Sequence, residues 1–155
     1  MKMSNLAFAL IGCVFMAGAH AADINIFYAP TCPHCHHARE FISSTLIYEY
    51  NDLKVSEINV MNVDNRQAFV DALFKCGYKT GGVPVIVVGE KCFQGYSDAT
   101  QADLRAAIES DLTDEQKSAA AANKDAMAKD KDAFIAAHAD RKSAISELEP
   151  QKKNN

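Results

Sequence analysis

The chain has 155 residues, 48% of them hydrophobic, a formal net charge of −4 at neutral pH and no tryptophan. That length bounds it to one domain plus some excess, with enough chain to bury a core unaided. The mildly acidic balance offers no electrostatic footprint for nucleic acid or an anionic membrane, so neither is expected as a partner.

Residues 1–21 read as a secretory signal peptide. Lys2 gives a basic start, Leu6 to Ala17 is an uncharged apolar run, and Ala19-His20-Ala21 is a small-x-small cleavage site. The run is too short for a membrane span, so no stable membrane insertion is expected. An uncleaved anchor and a lipoprotein processed at Cys13 are the alternatives. Apolar residues continue past Cys13 (Val14, Phe15, Met16), which argues against cutting there. The expectation is export, with the periplasm of a Gram-negative bacterium as the destination. Cleavage removes Lys2 as the only charge, taking the net charge from −4 to −5. Four cysteines remain, at 32, 35, 76 and 92, in a compartment that oxidises thiols.

Ile24 to Tyr28 is a short β-rich run stopped by Pro30. Ala38, Phe41, Ile42, Thr45 and Leu46 then recur at helical steps. Val55 to Val60 is a second strand, and Asp64 to Cys76 a second helix with Phe69, Val70 and Leu73 on one face. Val83 to Val88 is a buried strand by composition, and Gly89-Glu90 turns the chain into Lys91-Cys92-Phe93. Asp98 with Gln101 predicts a capping box for a last helix ending near Asp111. The order is β-α-β-α-β-β-α, which predicts an α/β domain over 22–112 with two parallel strands and a hairpin.

Beyond it, residues 113–155 form a tail of Ala, Lys, Asp and Glu with strong helix propensity and balanced charge. Thr113 with Gln116 is a capping box. Met127, Phe134 and Leu148 make a thin apolar seam interrupted by Arg141. That pattern favours a solvated, fraying helix over one that docks on the domain or a partner.

The chemistry sits in Ala29-Pro30-Thr31-Cys32-Pro33-His34-Cys35-His36-His37. C-x-x-C-H is a c-type haem attachment pattern and C-x-x-C a thiol–disulfide pattern. A haem would need a second axial ligand and a pocket, and Met61 and Met127 serve only nominally. Cys32, Cys35 and His36 or His37 could supply part of a tetrahedral metal set, but no resident metal is expected. The loop follows a strand and opens a helix, whose N-terminal N–H groups and dipole favour a thiolate. Cys32 is then the attacker, and Cys35, about one turn along, resolves the mixed disulfide. His34 can add positive charge beside Cys32. The alternative is that His34 is only an exposed loop residue.

"FYAPTCPHC" resembles the active-site strand and loop of the thioredoxin superfamily. Gly82-Val83-Pro84-Val85 is similar to that family's cis-proline segment, which begins a strand and faces the dithiol. The run from Val83 to Gly95-Tyr96-Ser97-Asp98 is similar in spacing to glutaredoxins. The resemblance spans about residues 23–111 and implies a thioredoxin/glutaredoxin-like fold with a mixed four-stranded sheet flanked by helices. Beyond it would lie a C-terminal helical or partly disordered extension. It also implies an oxidoreductase that exchanges disulfides with protein substrates and needs a redox-recycling partner. Cys32, Cys35, His34 and Pro84 are its catalytic candidates, and Pro33, Val83, Ser97 and Asp98 its substrate-binding candidates. Pro-His between the cysteines resembles the DsbA-type oxidases. The resemblance implies no resident cofactor, because the dithiol carries the electrons, but glutathione is a candidate co-substrate. Two departures from glutaredoxins are Gln94, in place of the first glycine of a pair, and Ala29-Pro30, where a lysine often stands. Cys76 and Cys92 could form a structural disulfide, relay electrons, link chains or stay free. A function of another class, a non-enzymatic binding or metal-delivery module, stays open at this point.

Overall fold

The computed structural model describes residues 22–148. The expected signal peptide and residues 149–155 lie outside the described residues. Strand β1 (Asp23–Tyr28) leads into α1 (Pro33–Phe41), which continues through a π-helical turn (Ile42–Leu46) into α2 (Ile47–Glu49). Strand β2 (Lys54–Asn59) follows, then a 3-10 turn (Val63–Asn65) and α3 (Arg66–Cys76). Strands β3 (Val85–Val88) and β4 (Lys91–Gln94) form the hairpin, and α4 (Asp98–Glu109) closes the predicted domain. The tail supplies α5 (Asp114–Lys129), α6 (Lys131–Ala137), a 3-10 segment (Ala139–Ala144) and a short strand β5 (Ile145–Glu147).

The sheet order is β4-β3-β1-β2-β5. β1 pairs parallel with β2 and antiparallel with β3, and β3 pairs antiparallel with β4. Both faces are covered, which is why β1 and β3 are nearly continuous apolar runs. Ile24, Ile26, Ile86 and Val88 face the core under α1, α2 and α4, with Ile42, Leu46, Leu104 and Ile108. Phe27, Val85 and Val87 face Ala72, Phe69 and Leu73 on α3. The expected helical face needs one correction. Phe69 and Leu73 pack inward, while Val70 is 50% exposed, because it sits about 100° around the helix from Phe69. Gly77 ends α3 with φ +69°, a left-handed conformation that glycine adopts without a side-chain clash.

The tail departs from the favoured expectation. It docks, and it adds a fifth strand to the expected four. The α5 capping box forms as predicted, with Gln116 N–H donating to Thr113 Oγ1 at 3.2 Å and Thr113 N–H to Gln116 Oε1 at 3.0 Å. Ala120 and Met127 are buried in the main core, with Phe134 and Ile145 packed against it. Polar contacts tie the tail to α2 and to the π-helical turn before it. Asn123 donates to the Glu49 carbonyl at 3.0 Å, Arg141 donates to that of Tyr48, and Lys131 donates to Thr45 Oγ1 at 3.2 Å. β5 then pairs parallel with β2, from Val55↔Ile145 to Glu57↔Glu147. Arg141, which interrupts the apolar seam in sequence, is thus spent on a backbone carbonyl.

Candidate active site

Because β1 and β2 run parallel, the loop after β1 and the segment after β2 leave the same edge of the sheet. β3 enters from that edge, since it pairs Val85 with Phe27. The loop after β1 and the start of β3 are therefore neighbours. Cys32 N–H donates to the Ala29 carbonyl at 3.1 Å, closing a turn that ends at the helix N-cap. Cys32 is that N-cap, in extended conformation, and Pro33 follows at the first helical position, where its missing N–H costs nothing. The Cys35 N–H donates to Cys32 Sγ at 3.1 Å. The two cysteines form a disulfide with Cα atoms 5.2 Å apart. Cys35 is 1% exposed and Cys32 half-buried, so Cys32 is the more accessible sulfur. His34, His36 and His37 are all exposed along the first turns of α1.

The Val83–Pro84 peptide bond is cis. Pro84 is buried, and the Val83 carbonyl oxygen stands 3.7 Å from Cys32 Sγ. Four sequence candidates, Cys32, Cys35, Val83 and Pro84, thus meet at one point. Ser97 and Asp98 lie on α4 instead. Ser97, and not Asp98, is the N-cap. Its N–H donates to Thr100 Oγ1 at 3.1 Å, so the capping box is Ser97/Thr100, one residue before the predicted pair. A serine hydroxyl serves this position as well as a carboxylate does. Asp98 is exposed in a groove with His37, Glu40, Phe41, Tyr96 and Gln101. Cys76 and Cys92 form a second disulfide, with Cα atoms 5.8 Å apart, joining the end of α3 to β4. Among the described residues, no group of three or more His, Cys, Asp or Glu side chains converges on a point that could hold a metal. No described helix is long and apolar enough to cross a membrane.

The sequence reading missed a partly buried polar cluster that joins β1, α1, β2 and β5. Arg39 on α1 pairs with Glu57, which is 6% exposed, and lies 4.0 Å over the Tyr28 ring. Tyr28 donates to Glu147 at 2.5 Å, and burial, then that hydrogen bond, push its hydroxyl up to about 12. Tyr28 therefore stays a proton donor at neutral pH, and it fastens β5 to the strand that carries the active-site loop. The contacts of Gln94, read in the sequence only as a departure from a glycine pair, were also missed. Its side chain donates to the Thr80 and Gly82 carbonyls at 2.8 and 3.0 Å. Nothing in the sequence signals a contact between residues 12 to 14 apart across an exposed loop.

A glutaredoxin family model matches residues 24–93. Among solved structures, the chain is similar to the glutaredoxin (grx-1) from Archaeoglobus fulgidus, at 24% identity and a TM-score of 0.42. That likeness covers 54% of this chain and 86% of the other. No curated protein matches the chain. The protein has a thioredoxin-like α/β fold, a mixed sheet flanked by helices. The family match takes in Cys32–Cys35 and Val83–Pro84 and stops before Ser97 and Asp98.

Proposed function

We propose that the protein is an exported thiol–disulfide oxidoreductase that exchanges disulfides with other proteins through Cys32 and Cys35. The observation that carries this reading is a half-buried N-cap cysteine, bonded to a fully buried one, with its sulfur 3.7 Å from the carbonyl before a cis-proline. In the oxidising direction, a substrate thiolate attacks Cys32 Sγ, and the Cys32–Cys35 bond breaks with Cys35 leaving as thiolate. A second substrate thiolate then attacks the substrate sulfur of the mixed disulfide, and Cys32 leaves. The substrate loses two electrons and the protein keeps them as a dithiol. In the reducing direction the Cys32 thiolate attacks a substrate disulfide and Cys35 displaces the product. The helix N-terminus stabilises the thiolate in both directions. Pro33 and Val83 border the place where an extended substrate lies, His34 tunes the sulfur, and a separate redox partner resets the pair. The signal peptide, the domain over 22–112 and the tail over 113–155 complete this reading, with the periplasm as its site. Cys32→Ser is expected to abolish dithiol exchange while leaving the fold intact. Retained turnover in that variant would sink the mechanism.

A second reading keeps the same dithiol and adds glutathione as co-substrate. It rests on Asp98, whose carboxylate is exposed and not spent on capping α4. Turnover that saturates in glutathione, with KM raised roughly five-fold or more in Asp98→Ala, is its expected signature. Turnover indifferent to glutathione removes it.

A further inference from the structure

The segment between α3 and β3 carries Val83 and Pro84, yet Gly81 and Gly82 give it little stiffness of its own. Strand β4 holds it instead. At its far end Cys92 bonds Cys76, where the segment begins. Two residues on, and so on the same face of β4, Gln94 reaches the other end. Its single amide nitrogen donates both protons, to the Thr80 carbonyl at 2.8 Å and the Gly82 carbonyl at 3.0 Å. The next residue, Gly95, donates its N–H to the Pro84 carbonyl at 2.8 Å. Three carbonyls of Thr80, Gly82 and Pro84 are thus fixed by two adjacent residues, and Val83 lies between the last two.

We infer that Gln94 is a positioning residue for the dithiol site, clamping the Thr80–Gly82 backbone so that Val83 presents its peptide groups beside Cys32. The inference rests on the dithiol reading above and assigns to it a residue with no other evident task. Two carbonyl oxygens facing one group require a donor with two protons, which Gln supplies and Glu does not. The Ala29–Cys35 loop needs no such help, because α1 and its own turn fix it. A loosened Val83 leaves the sulfur chemistry intact but disorders the surface on which a substrate chain lies. Ordering that surface then falls to the binding step, which appears in KM and not in kcat.

The test uses the mature protein with a peptide disulfide substrate. Gln94→Glu keeps the shape and sets oxygens against the two carbonyls, while Gln94→Lys keeps donors. Gln94→Glu is expected to raise KM roughly five-fold or more, the worth of one or two hydrogen bonds, with kcat within about two-fold of the parent. Gln94→Lys is expected to stay near the parent in both. Hydrogen exchange at the Gly95 amide, whose N–H is bonded to the Pro84 carbonyl, should quicken in the Glu variant and not in the Lys variant. An unchanged KM in Gln94→Glu, or equal losses in both variants, overturns the clamp while leaving the dithiol reading standing. A parent without turnover removes the dithiol reading instead. The exchange measurement still decides the clamp in that case, because equal protection in all three proteins overturns it.

Discussion

Cys32 and Cys35 are bonded to each other yet differ in exposure, because a helix N-cap projects from the fold and a residue one turn on faces the core. This asymmetry is the ground on which Cys32 is proposed as the attacked sulfur and Cys35 as the resolving one. His34, between them, is exposed, so the tuning proposed for it would act through charge and not through packing. A positive imidazole near the sulfur stabilises thiolate, and stabilising the reduced form makes the disulfide a stronger oxidant. His34→Ser is therefore expected to make the pair more reducing by about 30 mV or more, a tenfold change in the exchange equilibrium. Equilibration in glutathione buffers, with Cys76 and Cys92 both changed to Ser, measures this. An unchanged potential would leave His34 as a surface residue and assign the tuning to the helix N-terminus alone.

Among the elements, those whose sequence pattern mirrors their burial were legible. β3 is apolar throughout and β1 from Ile26 to Tyr28, because helices cover both faces of the sheet, and α4 repeats Leu104, Ala107 and Ile108 toward the same core. Cys32-Pro33-His34-Cys35 and Val83-Pro84 were legible for another reason, since their chemistry is local and survives as a short string. What depends on distant chain was not legible. The π-helical turn at Ile42–Leu46 has no composition of its own, yet residues 46–50 that follow from it are all buried. β5 is three residues with polar Ser146 and Glu147, held largely by backbone pairing to β2, so neither alternation nor β propensity announces it. Gln94 read only as a missing glycine, because its two acceptors are backbone carbonyls, which every sequence has. The cap at Ser97 lay one residue from the predicted one, a slip that matters because it frees Asp98.

At the scale of the whole molecule, the tail braces the domain opposite α3. The thin, interrupted apolar seam argued for a solvated helix; the helix forms, but tertiary contacts dock it. The junction is Glu109 at the end of α4. Its carboxylate accepts from Tyr50 at 2.6 Å, within the domain, and from Lys124 at 2.5 Å, on the tail. The Lys124 and Tyr50 hydrogen bonds hold the Glu109 carboxyl below its ordinary value of 4.5, against the opposing effect of burial. A carboxylate whose value is depressed on folding stabilises the native state above its unfolded value. That stabilisation is lost as pH falls through the folded one. The pair is more than a third exposed on the Glu109 side, so its worth is about 1 kcal/mol or less. Glu109→Gln should lower the melting midpoint at neutral pH. Its melting midpoint should also fall less steeply than that of the parent from about pH 5 down to pH 3, because the titrating group is gone. Thermal melts across that range test it. Parallel curves for parent and variant would mean that the tail is held by its other contacts, the burial of Ala120 and Met127, the Asn123 and Arg141 hydrogen bonds and the β5 pairing. Converging curves would show that protonating this carboxylate removes stability that the folded state draws from it.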